Sequence, residues 1–531
     1  MSAEILLTHG TIYTQDSRQP TAEALAIRDG KFLAVGRNAD ILALRGPETE
    51  WVHLGGRCVI PGLVDAHVHF RNFALSLERI DLHEVPTLAE ALRRVGERAQ
   101  GEDSAEWLQG RGWTQELWPD QRFPTAADLD HVAPQQPAFL THKSGHAAWV
   151  NSRALQLAGI TADTLDPPGG RLLRDAQGRP TGILLEEAMS LVRELIPPPG
   201  LAQIVAAMRR AQMKCWQVGL VGLHDFDGRD SFLALQQLRR AGELGLRIYK
   251  NLPAALVDHA IGAGLQTGFG DDWLRLGGLK IFADGALGPR TALMIEPYVG
   301  EPDNRGIAVT DKEEMLDIAL KAGPAGLALT VHAIGDRAVH DVLDVFETLH
   351  RRTGGASRLR HRIEHVQIIH PADQPRLAQL GVIASMQPVH ATSDMEMADR
   401  YWGARAEHSY AIRTLLNTGA TVVFGSDCPI EPIDPRLGLY AAITRRRPDG
   451  APGPQGWYPA QKFSLAEAIH AFTYAAAYTA GQEARQGSIT AGKLADLTIF
   501  ERDILAAPPD ELLHTAVAGT LVGGLFRHRA W

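Results

Sequence analysis

At 531 residues with a formal net charge of −9, the chain is too long for one small core and reads as several domains or one large α/β barrel with additions. The charge is spread without a long basic run, which argues against nucleic acid or an anionic membrane as partner, and no stretch approaches the roughly 20 apolar residues of a membrane span. Met1–Leu7 lacks a signal-peptide pattern and the three cysteines, Cys58, Cys215 and Cys428, are odd in number and far apart; a cytoplasmic protein without a disulfide framework is expected.

Residues 4–58 read as short strands broken by turns, with Asp29-Gly30 between two apolar runs as a hairpin signal. The C-terminal end repeats this style in Ala495–Phe500 and Ala518–Gly524. Neither end has enough strands to bury a core alone, so residues 1–60 and 485–531 are expected to pair into one composite β-sandwich. The middle, residues 61–484, opens with Pro61-Gly62-Leu63-Val64-Asp65-Ala66-His67-Val68-His69. Strand alternation puts Asp65, His67 and His69 on one face and Val64, Ala66 and Val68 on the other.

Seven further short apolar runs follow, near Ala138–His142, Leu220–Asp225, Leu276–Asp284, Ala328–His332, Arg362–Val366, Val382–Met386 and Thr421–Asp427. Eight strands separated by helix-like segments predict a parallel (β/α)8 TIM-like barrel. The long early gaps call for an inserted subdomain at about 72–215, expected over the barrel mouth, with Pro197-Pro198-Pro199-Gly200 as a stiff connector. Thr310-Asp311-Lys312-Glu313 and Ser464-Leu465-Ala466-Glu467 read as capping boxes that open helices.

Catalytic groups of such barrels sit at the C-terminal strand ends, and these ends carry His67, His69, Lys280, His332, His365 and Asp427. All six are potential metal ligands. His67 and His69 suit one divalent ion and His332 and His365 a second, with Asp427 facing the first ion and the attacking water. Lys280 fits such a set only as an N6-carboxylated lysine bridging two ions; its alternative is an ordinary ion pair with Asp284. In the insert, Trp113 and His146 are candidates for substrate contact, against a buried aromatic anchor and a capped loop histidine.

Pro61 to His69, Lys280 ahead of Asp284-Gly285, Val331-His332-Ala333, Glu364-His365 and Gly425-Ser426-Asp427 together resemble the metal-dependent amidohydrolase superfamily. The echoes His146–Asn151, Asp284–Gly288 and Ser385-Met386-Gln387-Pro388 are most similar to its amidohydrolase-3 branch. The resemblance spans nearly the whole chain. It implies a barrel holding one or two zinc-like ions and hydrolysis of a carbon–nitrogen bond of amide type in a small-molecule substrate, through a metal-activated water with Asp427 shuttling the proton. Cys428 stands where a bulky aromatic is expected, which bears on the pocket wall. Self-association into a homo-oligomer is left open.

Two other readings compete. His361-Arg362-Ile363-Glu364-His365 matches HxxEH, a helical zinc-protease signature, but its β-branched neighbours favour a strand. Strand parity in turn sets Arg362 and Glu364 opposite His365, on a face that a barrel should keep apolar. The other reading is a non-catalytic scaffold or regulatory protein on the same fold, which should have lost ligands.

Overall fold

The computed structural model describes residues 2–531 apart from 84, 100–106, 145 and 354–358. Its described residues include an eight-stranded all-parallel sheet in chain order: β1 (Leu63–Val68), β2 (Leu220–Asp225), β3 (Arg247–Pro253), β4 (Leu274–Phe282), β5 (Leu329–Ala333), β6 (Arg362–His365), β7 (Ile383–Met386) and β8 (Val422–Phe424). The main chain after β8 returns to β1, with Asp427 N–H donating to the His67 carbonyl at 2.7 Å and His69 N–H to the Cys428 carbonyl at 2.8 Å. Helices alternate with the strands, so the sheet is a (β/α)8 barrel. A Cβ on Gly425 would stand 2.5 Å from the His67 nitrogen, so only glycine lets the two chains approach this closely.

The eight strands differ from the sequence reading at one place. Ala138–His142 is not in the barrel; it pairs with Leu108–Trp113 and Ala147–Val150 in a separate sheet. The missing strand is β3, whose Lys250 and Asn251 interrupt any apolar run yet are fully buried. Lys250 Nζ lies 2.7 Å from Asp225 Oδ2 and donates to the Asp227 carbonyl, so its charge is paired inside the barrel rather than excluded from it.

Val64 and Ala66 turn outward on β1 and pack with Val221, Ile383, Val423, Ala475 and Ala476. The two chain termini build a composite β-sandwich. A sheet of N-terminal strands, including Ile5–Thr8 and Ala24–Arg28, shares a core with one in which Cys58–Pro61 pairs antiparallel with Leu497–Phe500. Leu7, Ile27, Val59, Ile489, Leu497 and Leu521 meet in that core. Asp29 and Gly30 both take positive φ, as a tight hairpin with a right-handed twist requires.

A second compact unit, Ala74–Gln203, is inserted between β1 and β2 and has its own six-stranded sheet. Trp113, Trp118 and Trp149 form the centre of its core. Of the two helix-opening signals, Ser464 and Glu467 make the full reciprocal box. At the other the cap is Asp311, not Thr310, and its side chain accepts from Glu314 N–H.

Candidate metal centre

β1 delivers two imidazoles to one carboxylate. Asp427 Oδ1 lies 3.5 Å from His67 Nε2 and 3.4 Å from His69 Nε2, and it is buried without a hydrogen-bond donor. The far nitrogens are held from behind. His67 Nδ1 is 2.6 Å from Glu364 Oε2, and His69 Nδ1 is 3.1 Å from Asp227 Oδ1. A carboxylate on Nδ1 fixes each ring with its proton there, which leaves the Nε2 lone pairs aimed at the space beside Asp427.

His332 and His365 complete the ring of imidazoles. Their ring centroids are 4.6 Å apart, and His365 is 4.9 Å from His67. His332 Nε2 is 2.9 Å from the Gly285 carbonyl and His365 Nδ1 is 2.8 Å from Gln387 Oε1, so each again keeps one nitrogen free. One ligand atom each from His67, His365 and Asp427 fall within 4.8 Å of one another. Burial holds His67 neutral, with its pKa lowered to about 4, and lowers His332 to about 3, where neighbouring Lys280 acts in the same direction. Burial also opposes the His69 cation, but Asp227 outweighs it and raises that pKa. His67, His332 and His365, held neutral by burial, beside an orphaned carboxylate oxygen are the donor set that a divalent cation requires, and His69 would join them on giving up its proton; the residues fit a metal.

Lys280 reaches the same cavity. Its Nζ sits 4.6 Å from the centroid of Phe226 and 4.8 Å from that of Phe282, and burial lowers its pKa to about 8. The alternative pairing with Asp284 is not made. That carboxylate instead accepts backbone N–H groups from Leu293, Ile334 and Gly335.

The parity objection at β6 disappears in the backbone angles. His365 and Val366 take φ of 75° and 43°, which breaks the alternation and turns His365 inward beside Glu364. Glu364 is not misplaced, because it holds His67 and pairs with Arg362 Nε at 2.7 Å. The same stretch is a strand rather than a helix, and His361 Nδ1 accepts the Leu329 N–H, so no HxxEH clamp exists.

Sequence reasoning missed one histidine. His390, on the short helix Pro388–Ser393 after β7, has Nε2 3.3 Å from Asp427 Oδ2 and Nδ1 3.2 Å from Glu431 Oε1. Burial opposes its charge, but the two carboxylates outweigh this and raise its pKa to about 10. It lies beyond a strand end and in no ligand pattern; the nearby Ser385-Met386-Gln387-Pro388 motif was the available signal. Trp113 is wholly buried, with Nε1 donating to the Leu140 carbonyl, which makes it the aromatic anchor of its unit with no face open to a substrate. His146 is exposed on the same unit, with Nδ1 2.9 Å from Glu186 Oε2. Cys428 is buried and does not line the cavity; Pro429 and Ile430 form that part of the wall.

The six strand-end residues line one cavity of ≈ 520 Å³, within the range of small-molecule sites. Residues 50–527 match the family described as the amidohydrolase family. The chain is 33% identical to protein LONG AFTER FAR-RED 3 of Arabidopsis thaliana, over 98% of this chain and 91% of that one. It is 29% identical to N-substituted formamide deformylase of Arthrobacter pascens, over 99% and 98%. Among solved structures, an uncharacterized metal-dependent hydrolase from Pyrococcus furiosus superposes with a TM-score of 0.77 at 30% identity, covering 94% of this chain and 99% of that one.

Proposed function

The chain belongs to the amidohydrolase family, and from that premise we propose that it is a metal-dependent hydrolase that cleaves a carbon–nitrogen bond of amide type in a small molecule. The observation that carries this reading is the convergence of the His67 and His69 Nε2 atoms on the unpartnered Oδ1 of Asp427. His67, His69, His332, His365 and Asp427 would hold one or two divalent ions, zinc by the nature of the donors, with Lys280 joining them as its N6-carboxylate. Such an ion supplies Lewis acidity and an acidified water at neutral pH.

The chain's own groups do the rest. Asp427 accepts a proton at Oδ1 from the attacking water and returns it to the leaving nitrogen, so one carboxylate serves both halves of the reaction. His390 holds Oδ2 and thereby aims Oδ1, while Glu364 and Asp227 orient the two β1 imidazoles. The buried cysteines form no disulfide, and among the described residues no helix is long and apolar enough to cross a membrane; a cytoplasmic setting is part of the reading. A non-catalytic scaffold is disfavoured by the full set of strand-end donors.

The test is elemental analysis joined to a hydrolysis screen of formamides, N-acyl amino acids, cyclic amides and lactones. One or two divalent ions per chain and turnover of an amide are expected, both lost in the His67→Ala, His69→Ala double variant while its circular dichroism is kept. Active protein without metal would sink the reading, and folded metal-free, inactive protein would favour the scaffold.

A further inference from the structure

The hydrolase reading leaves the substrate open, and the cavity walls restrict it. Asp427 and Lys280 sit at the polar end. Immediately beside them the lining becomes apolar: Phe282 two residues after Lys280, Ile430 three after Asp427, and Leu287, Ile334, Met397 and Pro429 around them. Phe282 is 47% exposed and Ile430 70% exposed, both large hydrophobic side chains left bare where a substrate would cover them. The Phe282 ring also lies tilted against His332 with centroids 5.3 Å apart, so an apolar group resting on it lies next to the reacting centre.

The charges point the same way. Three carboxylates line the cavity, Asp394, Asp427 and Glu431, and no arginine does. His390 is already shared between Asp427 and Glu431, and Lys280 is taken up at the strand-end site as the N6-carboxylate of the reading above. Asp394 takes its hydrogen bond from Tyr410 Oη at 2.5 Å and offers no donor. A carboxylate on the substituent, beyond the ions that the reading above places at the strand ends, would face Asp394, Glu431 and the apolar wall, and the neutral amides of Asn72 and Gln367 in the lining offer it no opposite charge.

We propose that the substrate is an amide whose substituent next to the scissile bond is apolar and uncharged, and that amides bearing a carboxylate there, N-acyl amino acids included, are rejected. The inference rests on the hydrolase reading above. Phe282 and Ile430 are the specificity-determining side chains, and Glu431 with Asp394 is the anion barrier.

The experiment compares N-(2-phenylethyl)acetamide with N-acetylphenylalanine, which differ by one carboxylate, as substrates of the metal-loaded full chain. The corresponding methanesulfonamides, which are not hydrolysed, are measured as a binding pair by calorimetry. The neutral amide is expected to exceed the acid by about 100-fold in kcat/KM and the neutral sulfonamide to bind at least about tenfold more tightly. Ile430→Arg should narrow both gaps by about tenfold, because it supplies the missing cation. Equal or better handling of the acid in either pair, or no binding of either sulfonamide, overturns the assignment. Preferential binding of the neutral sulfonamide with no hydrolysis of either acetamide, nor of any compound in the screen above, supports the pocket assignment and instead refutes the hydrolytic reading.

Discussion

Asp427 is held in a conformation that few non-glycine residues adopt, with φ of 61°, and that strain aims its side chain at His67 and His69. A helix-capping role, the other job an aspartate here could have, is absent: the next helix is Pro435–Thr444, and Asp434 caps it. Asp427→Asn is therefore expected to lower kcat by roughly 10²–10⁴ with the fold and most of the metal retained; near-normal turnover would refute the shuttle. Lys280 makes the second residue-scale test. A lysine whose pKa burial lowers to about 8 has an appreciable neutral fraction near neutral pH, the form that captures carbon dioxide. Lys280→Ala should hold less metal, and short carboxylic acids should restore part of it; full metal content in the variant would remove the carbamate from the scheme.

At the scale of elements, the helix Leu465–Phe472 backs β8, where Phe424 packs edge-on against Phe472 at 5.6 Å. Its start depends on Glu467, which accepts the Ser464 N–H at 2.7 Å and the Arg413 guanidinium at 2.8 and 2.5 Å. The Arg413 hydrogen bonds lead in lowering the Glu467 pKa from 4.5 to about 2. The stabilisation is thus complete above about 4.5 and fades as pH falls towards 2. Glu467→Ala should cost about 1 kcal/mol at pH 7, and the gap in denaturation midpoint from wild type should shrink between pH 4.5 and 3. A gap independent of pH over that range would assign the loss to packing instead. Elements were legible in the sequence where one face was apolar and a donor closed the strand, as in β1 and β8. They were hidden where the interior is polar. Lys250 and Asn251 erased the pattern of β3, and Ala138–His142 could supply a strand's periodicity without saying which sheet it joins. His365 defeated parity because a left-handed residue cannot be read from alternation, and His390 had no strand end to mark it.

For the molecule, the question is what ties the sandwich made by the termini to the barrel that carries the site. Asp496 stands where the two meet. Its carbonyl accepts the N–H of Gly62, between the sandwich strand Cys58–Pro61 and β1, and its carboxylate accepts Gly523 N–H at 2.8 Å. That carboxylate also forms a two-pronged pair with Arg247, the first residue of β3, including Nη2 to Oδ1 at 2.8 Å, both side chains being buried. Arg247 further donates to the Asp272 carbonyl and stacks 4.7 Å from Trp273. Removing one partner leaves a buried charge alone, which typically costs about 3–5 kcal/mol, whereas replacing both by apolar groups is often nearly neutral. Asp496→Ala should lower the thermal midpoint sharply and loosen the metal, because β1 begins at the same junction; Arg247→Met with Asp496→Leu should recover most of both. If the double variant is as unstable as the single one, the pair is not what couples the terminal sandwich to the barrel, and the backbone bonds through Gly62 and Gly523 carry that coupling instead.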